Sequence, residues 1–187
     1  MLDENIINSI DKILKEKQSI IIAIDGMSGS GKTTLANELK EKYNANLIHM
    51  DDYFLPLNMR SKERLSTPGG NVNYEKFYND IILNLGKYLL SEPFDCKTKS
   101  FKEKTIIKHN KVTIIEGSYS LHPYFKNYYD ISIVLKIDPK LQVERLTQRE
   151  KDKVENFIDL WIPLENKYLN YYQIFDKATF LIDIKSV

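Results

Sequence analysis

The chain has 187 residues, 42% of them hydrophobic, enough for one substantial core, so a single domain over 1–187 with modest insertions is expected. Its 27 basic and 26 acidic residues leave a net charge of +1, which gives no electrostatic reason to expect nucleic acid or an anionic membrane as a partner. Cys96 is the lone cysteine, His49, His109 and His122 lack zinc-site spacing, and the longest apolar run, Ile20 to Ile24, is far too short to span a bilayer; an intrachain disulfide and a cysteine metal cluster are excluded, and a cytoplasmic location is expected.

Residues 1–18 read as an amphipathic helix without a signal-peptide core: Leu2, Ile6, Ile10, Ile13 and Leu14 recur at helical spacing among Asp3, Glu4, Lys12 and Lys15. "SIIIAID" is a continuous β-branched run, the pattern of a strand buried on both faces of a parallel sheet. It is followed by "GMSGSGKT" and a helical "TLANELKEKY", then by a strand from Asn46 to Met50 that runs into "HMDDYFLP". Leu57 to Val72, with Pro68, Gly69 and Gly70, reads as a loop at least partly outside the sheet. Tyr74 to Leu90 is predicted helical, with Phe77, Ile81, Leu85 and Leu89 on one stripe, and "PFDCKTKSF" with "KTIIKHN" is predicted to form a short hairpin.

"KVTIIEG" and "DISIVLKID" are two more buried strands. Pro139 opens a charged helix, "PKLQVERLTQREKD"; Phe157 to Phe175 is a second helix with a break expected at Pro163, and "ATFLIDI" closes the chain as a strand. Strands alternating with helices predict an α/β fold: an open, mostly parallel sheet of about five strands with helices on both faces.

Gly26 to Thr33 match G-x-x-x-x-G-K-[ST] between a predicted strand and a predicted helix, the context that gives this motif its meaning as a phosphate-binding P-loop. Glycines at 26, 29 and 31 let the backbone wrap phosphate, so Gly26, Met27, Ser28, Gly29, Ser30, Gly31, Lys32, Thr33 and Thr34 form the expected nucleotide site. Lys32 is placed to reach the β- and γ-phosphates and the Thr33 hydroxyl to bind Mg²⁺, making ATP and Mg²⁺ the expected cofactors. A P-loop serves kinases, GTPases, motors and switches alike. No N-K-x-D guanine motif is present, and "VTIIEG" ends in the single acid Glu116 where many ATP-driven machines have an Asp-Glu pair; a small-molecule kinase fits best.

Such a kinase needs a proton acceptor at the sheet edge that holds the P-loop, and Asp51 falls there. If the segment is extended, Asp51 and Asp52 point to opposite sides, so at most one faces the γ-phosphate; a solvated turn acid is the alternative for either. Tyr53 and Phe54 are candidate walls of the acceptor pocket, or simply packing.

"GMSGSGKTT", "MDDYF", "NVNYEKF", "IIEG" and the arginines of "ERLTQRE" occur in the order and spacing by which the chain, from about Ile20 to Arg149, resembles the uridine kinase and phosphoribulokinase group of P-loop kinases. The resemblance implies that Asp51 is the catalytic aspartate, that Asp52 is a Mg²⁺-water or structural carboxylate, and that Glu116 serves the metal and the acceptor. It also implies that Arg145 and Arg149, four apart and so on one helical face, clamp the transferring phosphate from a lid and late helices over 139–175; pairing with Glu144 or Glu150 is the alternative. In the acceptor-side insertion, 57–108, Asn73 and Glu75 fall on the ribose-binding motif, or are an ordinary N-cap and first-turn acid. Asp95 is retained from the base-recognition hairpin, but Phe94 stands in place of its tyrosine, no histidine follows, and Lys97 and Lys99 supply positive charge instead. Arg60, Lys62 and Arg64 read as solvated, His49 as locally bonded, His122 as non-catalytic, and Trp161, Tyr168, Tyr171 and Tyr172 as core or interface. The acceptor is expected to be a nucleoside or another small hydroxyl compound, and a homo-oligomer is compatible with the pattern. A nucleotide-dependent switch without acceptor chemistry is the alternative.

Overall fold

The computed structural model describes residues 3–95 and 98–186; Leu2 of the amino-terminal stripe, and Cys96 and Lys97 of the hairpin, lie outside them. Helix α1 (Glu4–Glu16) starts where the Asp3 carboxylate accepts the Asn5 N–H, and it buries Ile6 and Ile10. Strand β1 (Ile20–Gly26) leads through the P-loop into α2 (Lys32–Tyr43), and β2 (Asn46–His49) follows. The insertion contributes α3 (Lys62–Ser66), α4 (Tyr74–Asp80), β3 (Tyr88–Ser91), β4 (Phe94–Asp95), β5 (Ser100–Phe101) and β6 (Thr105–Lys108). The chain then runs through β7 (Val112–Glu116), β8 (Ile131–Ile137), α5 (Pro139–Glu150), α6 (Val154–Asn156), α7 (Ile162–Tyr171) and β9 (Phe180–Ile184).

Among the described residues, five strands form one parallel sheet in the order β2-β7-β1-β8-β9. Side chains alternate between its faces, which is why the strands read as unbroken apolar runs. On one face Ile20, Ile22, Ile24, Ile114 and Ile133 pack with Ile6, Ile10, Leu35 and Leu39 from α1 and α2. On the other, Ala23, Ile48, Ile115 and Val134 meet Tyr53, Phe77, Leu89, Phe125 and Tyr168. Gly26 ends β1 with φ +127°, and a Cβ there would lie 2.1 Å from the Leu135 carbonyl oxygen, so β1 and β8 approach at a distance that only glycine permits.

Four expected elements differ. The strand from Asn46 stops at His49, and Met50–Tyr53 is a 3-10 turn, so Asp51 and Asp52 do not alternate as they would on an extended chain. The helix expected over Tyr74 to Leu90 stops at Asp80; a 3-10 turn (Ile82–Asn84) and Gly86 at φ +82° redirect the chain, and Leu89 is buried from a strand, which makes its helical spacing from Ile81 coincidental. The hairpin partners also change: β3 pairs with β6, while the "PFDCKTKSF" segment folds on itself through β4 and β5. Pro163 falls in the first turn of α7, after a π-helical stretch (Phe157–Trp161) that widens the backbone just where a proline lacks its N–H and crowds the preceding turn.

Candidate active site

The P-loop connects β1 to the amino terminus of α2, with Gly31 left-handed at φ +94° as the N-cap. Loop and helix start together present backbone N–H groups and the positive end of the helix dipole to one side. Lys32 Nζ donates to the carbonyls of Gly26 (2.9 Å) and Met27 (3.0 Å), folding its ammonium back along the loop. Met27 turns into the core, its sulfur meeting the Ile137 N–H at 3.5 Å, and Ser30 is buried with its hydroxyl unpartnered; of the loop, Ser28, Gly29, Gly31, Lys32, Thr33 and Thr34 line the cavity.

Side chains from distant elements hold the loop. Gln142 donates to the Ser28 carbonyl at 2.9 Å, and Arg145 to the Gly29 carbonyl at 3.3 Å. Glu165 of α7, 5% exposed, accepts the Ser28 N–H at 2.8 Å, the Ser28 hydroxyl, and the Ser118 hydroxyl at 2.8 Å. At the base of the loop, fully buried Asp25 accepts the N–H groups of Gly26, Tyr119 and Leu121 and, at 2.7 Å, the Tyr168 hydroxyl. Burial pushes the Asp25 carboxyl above its ordinary range, against the pull of those donors and of Lys32.

Glu116 ends β7 beside the loop. The Thr33 hydroxyl lies 3.4 Å from both of its oxygens, and His49 Nδ1 is 2.5 Å from one of them. The hydrogen bond to Glu116 raises the His49 pKa, against partial burial, with the negative charges of Asp52 and Asp51 helping. A hydroxyl and a carboxylate as adjacent hard oxygens fit Mg²⁺, which takes one or two protein oxygens and completes its shell with phosphate and water. Among the described residues no cluster of three or more His, Cys, Asp or Glu forms a self-sufficient metal cage. Asp52, offered by sequence as a metal-side acid, does not line the cavity; its charged neighbours are His49, Lys102 and Glu116.

The cavity has a volume of about 780 Å³ and spans both halves of the site. Asp51 is solvent-accessible on its wall, yet protein surrounds it on most sides. That enclosure raises its pKa, with Glu116 and Glu165 adding to the rise and Lys32 and His49 opposing it. Gly117, at φ +131°, makes the approach possible: a Cβ there would sit 2.9 Å from Met50 Cβ and 3.5 Å from Asp51 Oδ1. Phe54 lines the cavity against Trp161, their ring centroids 5.6 Å apart, and Phe157 extends the apolar wall. Tyr53 does not: it is 2% exposed and packs edge-on against Phe77 at 4.9 Å, because the 3-10 turn directs it into the core.

Arg145 and Arg149 both line the cavity, and Arg149 also pairs with Glu150 at 2.7 Å. The remaining acceptor-side residues lie off it. Asn73 is the N-cap of α4, accepting the Lys76 N–H. Glu75 is held by both terminal nitrogens of Arg64, at 2.6 and 2.8 Å; Arg64 also donates to the carbonyls of Gly70 and Val72 and lies 3.7 Å from the Tyr74 ring centroid, so it is a structural tie rather than a solvated charge. Asp95 accepts the Thr98 N–H at 3.4 Å within its own hairpin. Glu165, Ser118, Tyr119, Phe157 and Trp161 complete the cavity and were not singled out as site residues by sequence. Only Glu165 carries a signal, as an acid sharing a helical face with Trp161 and Tyr168.

A family model described as an AAA domain matches residues 22–172. The uridine kinase of Clostridium botulinum (strain Okra / Type B1) is 28% identical over 169 residues, covering 82% of this chain and 78% of that protein. The uridine kinase of Staphylococcus aureus (strain JH9) is 28% identical over 176 residues, covering 82% and 83%. A solved structure described as a possible uridine kinase from Bacillus stearothermophilus shares the fold, with a TM-score of 0.68 at 19% identity over 96% of this chain and 100% of that one.

Proposed function

This chain belongs to the AAA domain family of P-loop proteins, and from that premise we propose that it is an ATP- and Mg²⁺-dependent kinase that transfers the γ-phosphoryl group of ATP to a hydroxyl of a nucleoside or similar small molecule. The observation that carries the reading is the meeting of Lys32, Thr33, Glu116 and Asp51 on one cavity. Bound Mg²⁺ supplies charge neutralisation and a template for in-line transfer. The P-loop N–H groups and Lys32 hold the phosphates, and Thr33 and Glu116 offer the metal a hydroxyl and a carboxylate. Asp51 takes the proton from the acceptor hydroxyl as its oxygen bonds to the γ-phosphorus and the bond to the ADP oxygen breaks. Arg145 and Arg149 offset the charge on the moving group. The 28% identity to uridine kinases supports this acceptor class.

Incubation with Mg-ATP and a mixed panel of nucleosides, nucleotides, pantothenate and sugars, read by mass spectrometry, tests the reading: one acceptor is expected to gain a phosphoryl group. Asp51→Asn is expected to leave ATP binding intact and lower turnover by about 10² to 10⁴, the span of a general base. The position of Asn73, Glu75 and Asp95 off the cavity favours a second reading, a nucleotide-dependent switch, which predicts ATP binding with no phosphorylated product across the panel.

A further inference from the structure

Three side chains of one helical run, Trp161, Glu165 and Tyr168, are spaced i, i+4 and i+7 and therefore share a face. Each grips a different part of the candidate site. Trp161 packs against Phe54, the ring next but one after the carboxylates on the segment that carries Asp51. Glu165 takes the N–H and hydroxyl of Ser28 in the phosphate loop, and Tyr168 donates to Asp25, the residue that precedes the loop. The first two line the cavity while the third is buried beneath it. Glu165 is almost fully enclosed, and its three bonds all come from the loop and from Ser118, in the turn that follows Glu116 and Gly117. Its carboxylate therefore ties α7 rigidly to the phosphate loop.

We propose that Glu165 is a positioning residue that couples the two halves of the cavity: occupancy of the phosphate loop is transmitted through Glu165 and one turn of helix to Trp161 on the acceptor wall, and the reverse. The inference rests on the nucleotide-site reading above. The physical route is short. Phosphate entering the loop adds negative charge next to the Glu165 carboxylate and competes for the donors that surround it, so the bonds to Ser28 must adjust. Because α7 is anchored one turn further on at Asp25, movement at Glu165 emerges at Trp161, where the helix joins the π-helical stretch. By linkage, a compound that packs against Trp161 alters phosphate affinity by the same factor by which phosphate alters the affinity for that compound. The two substrates then bind interdependently, although neither touches Glu165 in transferring a group.

Trp161 is the only tryptophan of the chain, so its emission reports on the acceptor wall alone. The test uses Mg²⁺ with tripolyphosphate, a probe for the loop that has no base or sugar to stack on the ring, and follows binding by calorimetry and Trp161 emission in parallel. In the wild type, saturation is expected to shift the emission. Glu165→Ala is expected to lose the shift while calorimetry still registers binding. Glu165→Gln, which keeps an acceptor for the Ser28 N–H, is expected to retain a weaker one. Should Glu165→Ala not fold, the Ser28→Ala and Ser118→Ala pair, which removes two of the three donors, is expected to weaken the response. A wild type that binds the probe without an emission shift, or foldable variants that keep the full shift, would overturn the coupling. Absence of calorimetric binding to the wild type would overturn the nucleotide-site reading, and the coupling with it.

Discussion

Gly117→Ala puts the construction of the site under direct strain. The glycine has φ +131°, and a Cβ would lie 2.9 Å from Met50 Cβ and 3.3 Å from the Met50 nitrogen, so the 3-10 turn that presents Asp51 must yield. Holding a residue with a Cβ at such a φ costs about 1–3 kcal/mol. Overpacking against the turn adds about 1–3 kcal/mol, for an expected loss of about 2–5 kcal/mol once the turn relaxes. Gly86 separates the two contributions: its φ is +82°, but a Cβ there meets nothing within 4 Å, so Gly86→Ala reports backbone strain alone. Urea unfolding should give a lower midpoint at unchanged slope for both variants, with the larger drop for Gly117→Ala. If a phosphoryl acceptor is in hand, Gly117→Ala should also slow turnover on the order of 10-fold or more, since displacements near 1 Å at a reacting group cost about 10². Equal stability losses in the two variants would refute the steric argument, and with it the claim that Gly117 makes room for Asp51.

Tyr168→Phe removes the hydroxyl donor to Asp25 and should cost about 1.5–3 kcal/mol near neutral pH, the range for hydrogen bonds to charged groups. Asp25 has a folded pKa above 3.8, so it keeps a proton that the unfolded chain has released, and its contribution to stability falls as pH rises through that window. The Tyr168 bond opposes this rise; without it the window extends upward, and the stability deficit measured by urea should be larger at about pH 7.5 than at about pH 5. His122 runs the opposite way: burial lowers its pKa from 6.5 to about 4, so the unfolded chain binds the proton first and stability is lost as pH falls through that interval. The loss amounts to about 3 kcal/mol at most, and His122→Gln should flatten it; an unchanged pH profile would show that His122 is not buried as a neutral ring. Arg64→Lys cannot reproduce the forked pair with Glu75 together with the bonds to Gly70 and Val72, and should cost about 1–2 kcal/mol by urea unfolding. Glu75→Gln should cost under about 1 kcal/mol, because Glu75 is more than a third exposed and the pair is partly screened.

The parallel core was legible because buried strands must be apolar on both faces, so β1, β7 and β8 stood out as β-branched runs, and the P-loop was legible because its glycines, lysine and threonine stand at fixed spacing between a strand and a helix. The insertion was less so. Phe77, Ile81, Leu85 and Leu89 satisfy a helical period, but Gly86 turns the chain between them, and periodicity alone does not reveal where a turn intervenes. Asp51 lines the cavity and Asp52 does not, a separation that follows from a 3-10 turn and not from strand alternation. The same turn separates the two adjacent rings, which the sequence offered together as pocket walls or as packing, sending Tyr53 to the core and Phe54 to the cavity. For Glu75 the sequence left a ribose-binding acid and a first-turn helix acid both open, and nothing in it indicates that Arg64, eleven residues earlier, claims both of its oxygens. Glu165 lay 137 residues from its partner Ser28, a separation at which only the folded chain identifies the pair.

The contact between Gly26 and Leu135 divides the glycines of the phosphate loop into two kinds. Gly29 has only ordinary van der Waals neighbours around an added Cβ, and only its φ of +74° resists substitution, whereas at Gly26 the backbone of β8 already fills the space. A scaffold engineered to carry no nucleotide at all would still have to keep Gly26, because that position belongs to the closure of the sheet. The first letter of the motif is thus a constraint of architecture, and the information about ligand resides in the letters that follow it.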